Sequence, residues 1–219
     1  MKKYLEILKS CPLFHGIDEE DIVRMLTCLG AKIKAFDKKL TVINEGERPN
    51  DIAIVLSGSV QEIRIDYYGN RSILSRAKKA DIFAEEFSCA GLSSIPVSFV
   101  ADQSSEIMTI NCDHIMHTCS NNCGFHQQLI YNLMKNLASK SIDFHHRLEV
   151  TSQRTTREKL LAYLELKSKE LGTQSFDIPY DRQELADYLE VDRSGLSAEI
   201  SKLRRDGVIE CKKNHFVIL

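Results

Sequence analysis

The hydrophobic pattern changes period twice along the 219 residues. Between Ala31 and about Ile110, short runs rich in β-branched residues alternate with turn residues: AKIKAF, LTVINEGERPND, IAIVLSGSV and EIRIDYYGNRSILSR. Asn44 to Gly46, Ser57 to Ser59 and Gly69-Asn70 interrupt them at the spacing of a small antiparallel barrel or sandwich. On either side the period is helical. Residues 3–9 and 18–29 read as helices, with Asp18 and Asp21 resembling an N-terminal cap. Ile22, Met25, Leu26 and Leu29 make an apolar stripe, and Cys28 is placed on the same side. Helical periodicity returns after about Cys123. Strands gathered in one block between helices give an α+β fold.

The totals narrow the functional classes. Hydrophobic content of 43% and charged content of 27% suit a soluble globular protein. No run of about 18 apolar residues occurs, so no membrane partner is expected. MKKYLEILKSCPLF is broken by Glu6 and Lys9, which suits an amphipathic helix better than a secretory signal, and a cytoplasmic location is expected. Seven cysteines, an odd number, point to reduced thiols. A net charge of −2 gives no global attraction for phosphate, so any nucleic-acid contact must come from a local cluster. No nucleophile–base pairing, glycine-rich phosphate loop or zinc-protease spacing suggests an enzyme.

The stretch after Cys123 carries a heptad. Ile130, Leu137 and Phe144 are seven apart, and so are Met134, Ser141 and Leu148. Together they fill successive a and d positions with one polar seat at Ser141. Polar flanks on both sides favour a two-chain coiled coil, with Ile130, Met134, Leu137, Phe144 and Leu148 at the interface; the alternative is a helix packed on its own domain. The expected organisation is a β-barrel domain with N-terminal helices over 1–122, a dimerisation helix over 123–150 and a third domain over 151–219.

That last segment begins with TTREKLLAYLELKSKELG, a helix with Leu160, Leu161, Leu164 and Leu171 inward and Gly172 as its stop. FDIPY is a short extended piece. In DRQELADYLEVDRSGLSAEISKLRRDGVI, Asp181 caps a helix, with Glu184 answering three residues on. Leu185 and Leu189 face inward beside the small Ala186, Glu190-Val191 turns, and Asp192 caps a second helix. Leu196, Ile200 and Leu203 lie on one side of that second helix. The opposite face carries Ser194, Ala198, Ser201 and Arg205, flanked by Arg193, Ser197 and Arg204. Small, hydroxyl and arginine side chains on one face suit a major groove. VIECKKNHFVIL then reads as a β-hairpin wing with Lys212 and Lys213 at its tip. Asp187, Glu190 and Glu199 lower the local potential, so useful affinity is expected to need a dimer.

The two-helix segment and its wing resemble the winged helix-turn-helix of the catabolite-activator/fumarate-nitrate-regulator family of bacterial transcription factors. CPLFHGIDEEDI resembles that family's opening helix, and the β-rich middle resembles its cyclic-nucleotide-binding-type antiparallel β-barrel. The heptad helix resembles its dimerisation helix. The resemblance implies a homodimer that binds a near-palindromic double-stranded operator, with RNA polymerase as a further candidate partner. It implies base reading from Arg193, Ser194 and Ala198, with Ser197, Ser201 and Arg204 against phosphates. Ser194 and Ala198 stand where relatives often carry longer Glu and Arg side chains, which leaves the operator sequence open.

Relatives that bind cyclic nucleotides place Gly-Glu and then Arg-Ser/Thr-Ala around the phosphate. Here DIFAEEFSCAGLSSIPVSFVA has Ala84 for the glycine, retains Glu85, and offers Pro96 and Val97 where the cation should stand. Cyclic AMP is therefore not expected. Ala84, Glu85, Pro96, Val97 and Ser98 form the candidate pocket for another effector, of unknown identity, unless side chains fill it. NCDHIMHTCSNNCGFHQQL crowds Cys112, His114, His117, Cys119, Cys123 and His126 together. Cys119, Cys123 and His126 are a candidate metal set, and the cluster as a whole suggests metal or thiol-redox sensing as the alternative control. Ordinary buried cysteines and surface histidines account for the same residues. Cys89 and Cys211 read as structural.

Overall fold

The computed structural model describes residues 2–69, 71–116 and 124–219, which divide into two compact units, Met1–Ala138 and Ser139–Leu219. The architecture is α+β as expected, and the barrel takes the form of two facing antiparallel sheets.

In the first unit, α1 (Leu5–Ser10), a 3-10 turn at Pro12–Phe14 and α2 (Glu19–Cys28) precede the strands. These are β1 (Lys32–Phe36), β2 (Thr41–Ile43), β3 (Asp51–Ser57), β4 (Val60–Ile65), β5 (Arg71–Ala77) and β6 (Ile82–Phe83). The five-residue α3 (Glu85–Cys89) follows, then β7 (Ser98–Ala101), β8 (Ser105–Asn111), α4 (Cys112–Met116) and α5 (Gly124–Thr151). One sheet has the order β1-β8-β3-β6 and the other β2-β7-β4-β5.

Strand β3 explains how the layers stack. Its sequence, DIAIVLS, lacks the alternation of a half-exposed strand, because both of its faces are buried. Ala53 and Val55 point between the sheets, against Val60, Phe83, Val97 and Phe99. Ile52, Ile54 and Leu56 point the other way, into a second core with Leu8, Phe14, Ile22, Met25 and Leu26. Gly58 makes the turn out of β3 at φ +82°, where a Cβ would meet Ser105 Oγ at 2.2 Å and the Ser104 carbonyl at 2.6 Å. No other residue fits there without displacing the backbone.

The start of α5 is clipped onto this helical layer. Asn132 is buried, and its Nδ2 donates to the Leu13 carbonyl at 2.9 Å and the His15 carbonyl at 2.7 Å. The α2 stripe is buried as expected, but Cys28 is exposed, lying off the stripe rather than on it. Asp18 occupies the N-cap position of α2 without a side-chain hydrogen bond to the helix.

The second unit holds the C-terminal turns of α5, then α6 (Thr156–Leu171), β9 (Ser175–Asp177), α7 (Arg182–Leu189), α8 (Arg193–Arg205), β10 (Ile209–Lys212) and β11 (His215–Ile218). Thr155 and Glu158 form a capping box on α6, and Gly172 ends that helix at φ +66°. The three strands pair in the order β10-β11-β9, so the FDIPY segment anchors the wing. Leu160, Leu164, Leu185, Leu189, Leu196 and Leu203 form the core around Tyr163, which packs on Tyr180 and Tyr188. Leu171, expected inward, is 55% exposed, because the helix is already leaving the core in its last turn.

Candidate nucleic-acid interface

Two caps set the helix-turn-helix. Asp181 accepts from the Gln183 and Glu184 amides, both at 2.8 Å, and Glu184 returns a bond to the Asp181 amide at 2.9 Å. Glu190 closes α7 at φ 53°, a left-handed turn residue that is not glycine. Asp192 opens α8 by accepting from the Gly195 amide at 2.8 Å and from the Ser194 hydroxyl. These bonds, the Ser194 hydroxyl's first, hold the Asp192 carboxyl below the usual carboxylate range.

With Leu196, Ile200 and Leu203 buried, α8 turns its other side outward. Arg193, Ser194, Ser197, Ala198, Ser201 and Arg204 are all exposed on it. The hydroxyls are not equivalent. Ser194 donates to Asp192, and Ser201 donates to the Ser197 carbonyl at 2.9 Å, so these two present acceptor lone pairs rather than free protons. Phosphate needs a donor, which makes Ser201 better suited to a base amino group than to the backbone role expected of it.

Sequence reasoning missed how the acidic neighbours are handled. Arg157 on α6 reaches Glu199 at 3.2 Å and Asp206 at 3.0 Å, drawing both carboxylates toward itself. Of the other two acids expected to lower the potential, Asp187 accepts from Gln183 at 2.9 Å and Glu190 lies 3.8 Å from Arg147. Arg205, Lys212 and His215 join Ser201 and Arg204 around a groove of about 920 Å³ between α8 and the wing. Arg205 and Lys212 line this groove together with Glu210; the signal was present in their place on the α8 face and the hairpin. Lys202, Arg204 and Arg205 also sit in the last turn of α8, where the helix dipole favours cations.

The five candidate effector residues do not share one environment. Ala84 and Val97 are buried in the core between the sheets, where the rings of Phe83 and Phe87 lie 5.1 Å and 6.2 Å from Phe99. Glu85 is fully buried and accepts from Asn136 Nδ2 of α5 at 2.8 Å. Ser98 Oγ accepts from the Glu45 amide at 3.0 Å, and Pro96 is exposed. Ala84 itself takes the left-handed conformation at φ 63°, the geometry for which glycine is preferred.

On α5, Ile130 and Leu137 are partly buried against the helical layer's core. Met134, Phe144 and Leu148 are 58%, 73% and 59% exposed, and Tyr131 and Ile142, outside the expected set, are exposed as well. Of the candidate metal set, Cys119 and Cys123, like His117, lie outside the described residues. His126 is buried with Nε2 3.0 Å from the His114 carbonyl. Among the described residues no group of three or more His, Cys, Asp or Glu is arranged to hold a metal ion. No helix among them is long and apolar enough to cross a membrane.

A two-sheet roll ahead of a winged helix-turn-helix is the architecture of a two-domain DNA-binding transcription regulator. Residues 33–122 match the cyclic nucleotide-binding domain, and residues 158–219 match the Crp-like helix-turn-helix domain. The chain belongs to the catabolite-activator/fumarate-nitrate-regulator family, whose members are transcription regulators rather than enzymes.

The transcriptional activator protein FnrL of Cereibacter sphaeroides is 37% identical over 76 residues, a segment covering 31% of this chain and 31% of that protein. Among solved structures, the c-di-GMP responsive global regulator CLP of Xanthomonas campestris superposes with a TM-score of 0.62 at 17% identity, covering 92% of this chain and 99% of that one. FixK2 of Bradyrhizobium japonicum gives 0.53 at 18%, covering 86% and 92%. At these identities the structural likeness establishes the fold.

Proposed function

We propose that the chain acts in the cytoplasm as a homodimeric DNA-binding transcription regulator, controlled by an effector other than cyclic AMP. In this reading residues 1–122 sense, 123–150 dimerise and 151–219 bind DNA. One observation carries it: α8 presents Arg193, Ser197, Ala198 and Arg204 outward while Arg157 holds the nearby Glu199 and Asp206. A slightly acidic chain thereby offers one local cationic face to a major groove.

In this reading Arg193, at the N-terminal end of α8, reads a guanine edge, and Arg204 holds a phosphate. Ser194 and Ser201 accept from base amino groups. Met134, Phe144 and Leu148 supply the apolar seam of a two-chain coiled coil, which sets two recognition helices about one DNA turn apart on a near-palindromic operator. Pro96 and Val97, where a phosphate would need its cation, favour an effector without a phosphodiester. Effector binding shifts the population between barrel–helix packings and so the spacing of the recognition helices. RNA polymerase is the natural further partner of such a dimer.

The test is selection of operator DNA from genomic fragments, followed by fluorescence anisotropy. Wild type is expected to select a near-palindrome. Arg193→Ala should lose about 1–3 kcal/mol and relax preference at one base, while Arg204→Ala weakens all sequences alike and lowers the salt slope by about 0.9. Unchanged affinity in the double variant, or tight binding by a single chain in light scattering, overturns the reading.

A further inference from the structure

We propose that Cys89 and Cys112 are a modification site, a dithiol that closes reversibly to an intramolecular disulfide when a small peroxide oxidises it. Their Sγ atoms lie 3.5 Å apart although 23 residues separate them in sequence. Cys89 ends α3 and is partly exposed; Cys112 begins α4 and is almost wholly buried. An S–S bond is about 2.05 Å long, so closure asks for roughly 1.5 Å of approach between the sulfurs.

The remaining described cysteines are not so arranged. Cys11 is buried, Cys28 is exposed on α2, and Cys211 Sγ lies 3.3 Å from Arg182 and 3.4 Å from the Lys213 carbonyl. The contact between the two sulfurs lets one thiol stabilise the other's thiolate, and the partly exposed Cys89 opens that contact to solvent.

The chemistry balances with hydrogen peroxide as the two-electron oxidant. One thiolate of the pair attacks a peroxide oxygen; the O–O bond breaks, an S–O bond forms, and the departing hydroxide takes a proton to leave as water. The other thiol then attacks the sulfenic sulfur, losing its proton as the S–S bond forms and a second water departs. In sum, two thiols and one peroxide give a disulfide and two waters. The product ties the end of α3, the helix that begins at Glu85, to the start of α4.

The experiment treats the full chain with hydrogen peroxide and maps it by mass spectrometry without reduction. Cleavage before aspartate separates the two sulfurs into peptides 81–101 and 102–112, with Cys119 and Cys123 in a third, 113–142. The expected result is a cross-link joining the first two peptides, lighter by two hydrogens and reversed by dithiothreitol. Cys89→Ser and Cys112→Ser should each abolish it, and one of the two variants should keep on its remaining thiol of the pair a sulfenic acid that dimedone traps. The proposal is overturned if oxidation leaves peptides 81–101 and 102–112 unlinked while Cys28 reacts, or if the dimedone adduct falls elsewhere in both variants. This readout does not depend on the DNA-binding reading.

Discussion

Asn136 Nδ2 donates to Glu85 Oε1 at 2.8 Å, joining the first residue of α3 to the long helix α5 inside the first unit. The carboxylate is fully buried and engaged by the protein itself.

Removing that donor leaves a buried carboxylate one hydrogen bond short. Asn136→Leu is expected to destabilise the folded chain by about 1.5–3 kcal/mol, the range for a hydrogen bond to a charged group. Urea unfolding of wild type and variant measures this, and a difference under about 0.5 kcal/mol would show the bond to be dispensable.

On the proposed DNA-binding reading, Arg157 contributes through the acids it holds. Arg157→Ala releases Glu199 and Asp206 beside α8, and operator affinity is expected to drop roughly three- to tenfold at 0.1 M salt. Adding Glu199→Gln should recover part of the loss. Failure of that second change to help would mean that Arg157 itself touches phosphate.

Gly58 tolerates no side chain in its present conformation. Gly58→Ala combines an unfavourable positive φ with a 2.2 Å approach to Ser105 Oγ, and should cost more than about 1 kcal/mol. A lowered melting temperature is the readout. The contact is with the neighbouring backbone as well, so Ser105→Ala should not rescue it.

Burial pushes the Cys11 thiol from 9.0 up to about 12. The unfolded chain therefore ionises this thiol first. The stability that follows is complete below pH 9 and is lost as pH rises from there toward 12. Between pH 8 and 10 the wild type should lose about 1.4 kcal/mol more than Cys11→Ala, read from denaturant midpoints at each pH.

Legibility in the sequence followed range. The Asp181 capping box, the Asp192 cap and the Gly172 stop are readable because each is completed within four residues. The buried faces of α2 and α8 followed from their period. Cys28 was misplaced even so, since at 100° per residue it stands well away from the Ile22–Leu29 stripe. Leu171 obeyed the spacing but fell where the helix departs from its core. What the sequence hid was distant: Arg157 meets acids 42 and 49 residues away, and Cys89 finds Cys112 only because α3 and α4 end up adjacent. The candidate effector residues occupy the place of a motif that only Glu85 keeps, and packing sends Val97 and Glu85 to different surroundings.

Strand β3 lines two cores at once, and this bears on how the first unit comes apart. Ala53 and Val55 belong to one layer, Ile52 and Ile54 to the other, so neither layer melts without stripping the strand that supports its neighbour. The roll and its helical cover should open together in a single cooperative step, with the amide protons of β3 the last in that unit to exchange with deuterium.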